Sequence, residues 1–349
     1  MLEHGGDLLI VSERFRRPLE SWLDLSTGIN PCGYPVPALP DSLFRRLPDT
    51  VHRDLLLSAR QYFGVESVVA AAGSQTIIQV LPQLLQPRRI AVPDCGYAEH
   101  AASWRRAGCT LVHYDGFHPL QLNLLIETGE VDSAVVINPN NPSGVMLSRH
   151  QMATWARTLS KRGGYLIVDE AFIDATAGAS VVDDVALTKG VVVLRSLGKF
   201  WGLAGLRVGF ALCAPELAAC LHERLGPWPV SGPSAYIATR ALADTVWQRQ
   251  ARVALNAQSR AMQSLWRELC GHFSQSITPL FLTLTGEPAA ITACWETLAE
   301  QGILLRRWRD QPQLLRCGWP GNPGDKDWMR LVTALLRYAS HSNSVRSVG

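Results

Sequence analysis

The chain has 349 residues, 47% of them hydrophobic and 18% charged, with a formal net charge of +3. These values indicate a globular protein of two domains with a large core. They argue against nucleic-acid binding, because the arginines are dispersed rather than gathered in a basic block, and no apolar run approaches the ~18 residues needed to cross a bilayer. The N-terminus lacks the basic start and long apolar region of a signal peptide. The eight cysteines form no Cys-x-x-Cys pair, which suits reduced thiols in a cytoplasmic protein. The nearest metal-like spacings, Cys95/His100 and His113/His118, have no second half-site, so no metal is expected.

In chain order, the first 35 residues are rich in turn formers and are expected to pack near a smaller domain. Short apolar runs then alternate with amphipathic segments. Strands are predicted over residues 68–72, 89–93, 110–114, 134–138, 165–169, 191–195 and 206–212, with helices over 73–86, 96–107 and 146–162. Strands this apolar suit a mostly parallel sheet with helices on both faces. Ligand groups in such folds gather at the carboxyl ends of strands, where Asn138, Asp169 and Ser196 fall. Gly226 to Pro233 is a breaker-rich junction. Beyond it a helical pattern runs over 235–270, followed by strands near 277–284, 303–307 and 314–317 and helices near 292–301 and 327–338. The expected organisation is an arm over 1–35, a large α/β domain over 36–234 and a small α+β domain over 235–349.

The chemistry concentrates around Lys199, in Ser196-Leu197-Gly198-Lys199-Phe200-Trp201-Gly202-Leu203-Ala204-Gly205-Leu206-Arg207-Val208-Gly209. An apolar setting favours the neutral amine, which is a nucleophile, and a nearby serine and arginine can hold a phosphate. A nucleophilic lysine beside a phosphate cradle is what pyridoxal phosphate (PLP) requires. The chain has four lysines against 29 arginines, and Lys161, Lys189 and Lys326 lie at a helix end, a turn and a polar loop. Gly73-Ser74-Gln75 follows a strand and opens a helix, whose free N–H groups can receive a phosphate. Asn138-Pro139-Asn140-Asn141-Pro142-Ser143-Gly144 is a stiff loop that could aim Asn141 at a ligand. Asp169 could pair with a protonated pyridine nitrogen, whereas strand alternation points Glu170 the other way. Tyr97 could stack on a ring. Taken singly, these features also read as a tight turn with an N-cap, a rigid turn, a structural ion pair and a core aromatic.

In this order the motifs resemble the aspartate aminotransferase superfamily, fold type I of the PLP enzymes: a glycine-rich phosphate turn, a stacking aromatic, Asn-Pro-x-Asn-Pro-x-Gly, Asp-Glu-Ala-aromatic, Ser-x-x-Lys and Gly-Leu-x-Gly-Leu-Arg-x-Gly. The resemblance implies Lys199 as the Schiff-base lysine and Asp169 as the partner of the ring nitrogen. Asn141 would lie near the ring hydroxyl and Tyr97 on the ring face. Ser74, Gln75, Ser196 and Arg207 would bind the cofactor phosphate, in a homodimer with sites at the subunit interface.

Within the superfamily, Glu3-His4-Gly5-Gly6 and Ser26-Thr27-Gly28-Ile29-Asn30-Pro31 resemble the threonine-phosphate decarboxylases of cobalamin synthesis, as do the arginine strands around Arg306 and Arg316. That similarity implies decarboxylation of L-threonine O-3-phosphate to (R)-1-amino-2-propanol O-2-phosphate. Arg316, helped by Asn30, would take the α-carboxylate. Arg306, with His4 and the Gly5 backbone, would lie near the phosphate or the carboxylate; arginine forks suit both groups. The rival readings are a histidinol-phosphate aminotransferase and, more remotely, a PLP-binding regulator, for whose DNA-binding domain no residues are left over. Leu47 stands where aminotransferases of this branch usually carry tyrosine, as does Phe172 after Asp-Glu-Ala. Both departures speak against ordinary transamination.

Overall fold

The computed structural model describes residues 4–50, 52–182 and 189–346, so that Glu3 of the opening motif lies outside the described residues. The chain forms two compact units: Gly33–Gln250, and Met1–Cys32 together with Ala251–Gly349. The larger unit therefore extends past the breaker-rich junction where the sequence suggests a boundary. Helix Gly232–Ala243 packs on helix Arg53–Phe63 of that unit, and the Ser234 hydroxyl donates to the Leu206 carbonyl at 2.8 Å.

Thirteen strands occur among the described residues. They are β1 (Leu23–Asp24), β2 (Val68–Ala71), β3 (Arg89–Pro93), β4 (Thr110–Tyr114), β5 (Ser133–Ile137), β6 (Leu166–Asp169) and β7 (Val191–Ser196). They continue with β8 (Gly209–Cys213), β9 (Ser274–Ile277), β10 (Leu282–Thr285), β11 (Ile303–Leu304), β12 (Arg306–Arg307) and β13 (Leu314–Cys317).

The larger unit is built on a seven-stranded sheet in the order β2-β8-β7-β6-β5-β3-β4. Its strands run parallel apart from β8, which is antiparallel to both neighbours. Strands β2, β5, β6 and β8 are buried along their whole length, as expected of a sheet with both faces covered. Val69, Ile90, Val135, Ile167 and Val192 join Ile77, Leu81 and Trp104 of the helices in one core. Strand β8 starts at Gly209 rather than at Leu206, because Arg207 has a left-handed backbone (φ 54°) that interrupts extended structure.

In the smaller unit β1 pairs in parallel with β11, and an antiparallel sheet runs β12-β13-β10-β9. Arg306, Arg316, Thr283 and Ser276 stand opposite one another across that sheet. The alternate residues Leu282, Leu284, Leu315 and Cys317 are buried and apolar. Residues 303–307 divide between the two sheets at Leu305, whose carbonyl accepts from the Trp295 indole at 2.9 Å. Residues 277–284 form a hairpin turn instead of one strand: Thr278 N–H donates to the Phe281 carbonyl at 2.9 Å, and the Thr278 hydroxyl accepts from Phe281 N–H at 3.0 Å. The helical pattern of 235–270 breaks at Asp244, whose carboxylate caps the next helix by accepting from Trp247 N–H at 2.9 Å.

Behind β6 lies a buried ionic cluster. Glu170 accepts from Ser180 Oγ at 2.6 Å and from Val181 N–H at 2.8 Å, with Arg195 Nη1 3.3 Å away. Arg195 also pairs with Asp174, which accepts from the Tyr62 hydroxyl at 3.0 Å. Burial pushes the Glu170 carboxyl upward, while Arg195 opposes that shift. For Arg195, burial alone would disfavour the cation, but Asp174 and Glu170 outweigh it and hold the guanidinium charged. Arg195→Ala leaves two buried carboxylates without their counter-ion, and urea unfolding is expected to show a loss of about 3–5 kcal/mol.

Candidate active site

The larger unit places its functional side chains at the carboxyl ends of its parallel strands. Gly73 (φ 82°) turns the chain from β2 into helix Ser74–Leu85, whose first N–H groups have no partner within the helix. A Cβ at Gly73 would lie 2.5 Å from the Arg207 guanidinium, so Arg207 covers that turn. Gly209 backs directly onto the Ser74 backbone and pairs across the sheet with Ser196. Gly73, Ser74, Ser196 and Arg207 are thus brought to one helix N-terminus, where the helix dipole and Arg207 favour an anion.

Gln75 faces Tyr97, whose hydroxyl donates to its Oε1 at 2.9 Å, and Gln75 Nε2 donates to Glu99 at 2.8 Å. Burial, reinforced by the Glu99 and Asp169 charges, raises the Tyr97 hydroxyl to about 12, so it stays a neutral donor. The Tyr97 ring meets His100 edge-on, with centroids 6.2 Å apart. His100 Nε2 in turn lies 2.8 Å from Asp169 Oδ2, while Oδ1 accepts from Ala171 N–H at 3.0 Å. Asp169 and His100 are 4% and 2% exposed, so the pair is closed off from solvent at the strand ends. From the sequence alone, His100 has no role beyond its spacing from Cys95. Its place three residues after Tyr97, on the same side of the chain as a helix begins, was the available signal.

Lys199 is half-buried, and its Nζ lies 5.2 Å from the centre of the Phe172 ring. Leu197, Phe200 and Trp201 around it are fully buried. Asn141 is half-buried and forms the second of two cis Asn–Pro bonds, Asn138-Pro139 and Asn141-Pro142. The preceding Asn140 braces this loop, donating from Nδ2 to Cys95 O (2.9 Å), Gly116 O (3.0 Å) and Ser143 Oγ (2.8 Å).

An amine in apolar surroundings, a buried carboxylate and an anion cradle lined by glycine match the aldehyde, ring nitrogen and phosphate of PLP. The Gly73 turn carries that fit, because any side chain there would fill the cradle. Gly73→Ala adds a Cβ against Arg207 at a positive φ, and is expected to weaken PLP binding by roughly tenfold or more in an absorbance titration. Unchanged affinity would remove this turn from the cofactor site.

The smaller unit assembles the other predicted residues around Ser26. The Ser26 carbonyl accepts from Arg316, and its hydroxyl accepts from Gly6 N–H at 2.8 Å. A Cβ on Gly5 would come within 2.5 Å of the Ser26 carbonyl. His4 is exposed, and Asn30 is buried with its Oδ1 accepting from Cys32 N–H at 3.0 Å. Arg316 stands opposite Arg306 on paired strands. Burial, with the Arg306 charge adding to it, lowers the Arg316 guanidinium to about 9, and Asp24 opposes the shift. It remains charged at neutral pH, and a bound anion would relieve the cost. Among the described residues no cluster of His, Cys, Asp and Glu could hold a metal ion.

The sequence profile of the class I and II aminotransferases matches residues 23–335, and the chain belongs to that family. A threonine-phosphate decarboxylase from Pseudomonas aeruginosa is 41% identical over 338 residues, 97% of this chain and 98% of that protein. Another, from Sinorhizobium sp, is 34% identical over 347 residues, 96% of this chain and 97% of that protein. The crystal structure of histidinol-phosphate aminotransferase from Sinorhizobium meliloti, in complex with pyridoxal-5'-phosphate, superposes with a TM-score of 0.80 at 15% identity, covering 98% of this chain and 99% of that one. It shows the shared fold, that of the fold type I PLP enzymes.

Proposed function

We propose that this protein is a PLP-dependent decarboxylase that converts L-threonine O-3-phosphate to (R)-1-amino-2-propanol O-2-phosphate and carbon dioxide, a step of cobalamin biosynthesis. The observation that carries this reading is the like-charged pair Arg306 and Arg316, opposite one another across the small sheet. Two adjacent guanidinium groups, one of them buried, suit a substrate with two anionic ends. Similarity to threonine-phosphate decarboxylases over nearly the whole chain supports the same substrate.

When bound, PLP supplies an electron sink that weakens one bond at the substrate α-carbon. Asp169, oriented by His100, keeps a proton on the ring nitrogen. Lys199 supplies the attaching amine, and its ammonium form is a proton donor for the α-carbon. Ser74, Gln75, Ser196 and Arg207 would hold the cofactor phosphate, with Tyr97 at the ring and Asn141 near its hydroxyl. Arg316, with Asn30, would orient the carboxylate that is to be lost, and Arg306, with His4 and the Gly5 backbone, would lie near the substrate phosphate or that carboxylate. Leu47 and Phe172 cannot donate hydrogen bonds to the cofactor, which weighs against transamination.

The protein is further proposed to work as a cytoplasmic homodimer. Val36, Phe44 and Leu47 present exposed apolar surface for such an interface, and among the described residues no helix is long and apolar enough to cross a membrane. Incubating PLP-loaded protein with O-phospho-L-threonine and no keto acid is expected to release carbon dioxide catalytically. Amino transfer that depends on added keto acid, without carbon dioxide release, would replace the decarboxylase with an aminotransferase.

A further inference from the structure

A tryptophan, Trp308, lies against both arginines. Trp308 follows Arg306 by two positions, just past the end of β12. The Arg306 guanidinium carbon lies 5.0 Å from the centre of the Trp308 ring, and that of Arg316 lies 5.8 Å from the same ring. One indole therefore serves both cations. Arg316 is also 5.4 Å from the Phe281 ring, which is fully buried. Side chains directly opposite on antiparallel strands have Cβ atoms about 4.5–5.5 Å apart, and like charges there repel.

A carboxylate placed beside two such cations would neutralise them, but would compete with an anionic ligand for the same N–H groups. An aliphatic side chain would leave the repulsion in place, and the arginines would splay. An aromatic ring stabilises a guanidinium through its flat face, whereas carboxylates and phosphates bind along the N–H edge. The two uses do not conflict. The indole can hold both cations in place while a ligand binds them.

We infer that Trp308 is a positioning residue which fixes the separation of Arg306 and Arg316, and thereby selects ligands with two anionic groups at a set distance over ligands with one. This rests on the reading of the two arginines as the substrate's anion clamp. Trp308 acts through them and takes no part in the chemistry.

The test uses 4-phosphonobutanoate, which carries a carboxylate and a phosphonate at the spacing of phosphothreonine but has no amine to react. Its affinity for the PLP-loaded protein is measured by calorimetry beside that of inorganic phosphate. Arg306→Met and Arg316→Met are each expected to weaken the two-headed ligand by about a hundredfold or more. Trp308→Leu is expected to weaken it by about tenfold and to weaken phosphate distinctly less, with Trp308→Phe recovering most of the loss. Melting curves of both Trp308 variants establish that they fold, and the phenylalanine variant keeps the test open if the leucine variant does not. Equal weakening of both ligands would reduce Trp308 to general support of the sheet and overturn the inference. Wild-type affinity in Trp308→Leu, with losses in the arginine variants, would overturn it while leaving the clamp intact. Wild-type affinity in both arginine variants would overturn the clamp and the inference together.

Discussion

The buried contact between Asp169 and His100 is the constraint on which the larger unit's chemistry depends. A carboxylate at the end of an apolar strand is costly to bury unless it is paired. Here one oxygen is held by the imidazole and the other by a backbone N–H. The neighbouring Glu170 emerges on the other side of the strand and is compensated by Arg195, Ser180 and Val181. Two adjacent carboxylates thus serve separate purposes through the alternation of a β-strand. Glu170 ties the sheet to the loops behind it, and Asp169 stands at the carboxyl end of β6 beside His100.

Two buried arginines differ in the counter-charge around them. Arg195 and Arg316 are each 4% exposed. Arg195 lies against two carboxylates, which outweigh the cost of burial and hold it charged. Arg316 has a carbonyl, two aromatic rings and a second arginine around it, with Asp24 the opposing charge, and is pushed down to about 9. A site that disfavours its own cation gains most from an arriving anion, and binding to the folded state then adds to stability by mass action. The small sheet carries this tension on one face, while Leu282, Leu284 and Leu315 anchor the other face in the core.

Much of this was legible in the sequence because it is local. Strands β3, β4 and β13 match their apolar runs residue for residue, and the opposite facing of Asp169 and Glu170 follows from alternation alone. The glycine turn at 73 and the left-handed Arg207 lie inside the motifs that carry the family resemblance. What escaped is non-local. His100 meets Asp169 across 69 residues, and its place three residues after Tyr97 marks its side of the chain but not its partner. Asn140 occupies a variable motif position, yet its side chain braces the loop through three acceptors. Trp308 gains significance only through the register that sets Arg306 against Arg316. The break at Asp244 was hidden because apolar periodicity continues on both sides of it.

On the proposed function, a single lysine, Lys199, is the point where this protein holds its cofactor. Borohydride reduction of the PLP-loaded protein, followed by proteolysis and mass mapping, tests it directly. Pyridoxyl label is expected on the peptide containing Lys199 and on no other. Label on Lys161, Lys189 or Lys326 instead, or a protein that takes up no label, would contradict it.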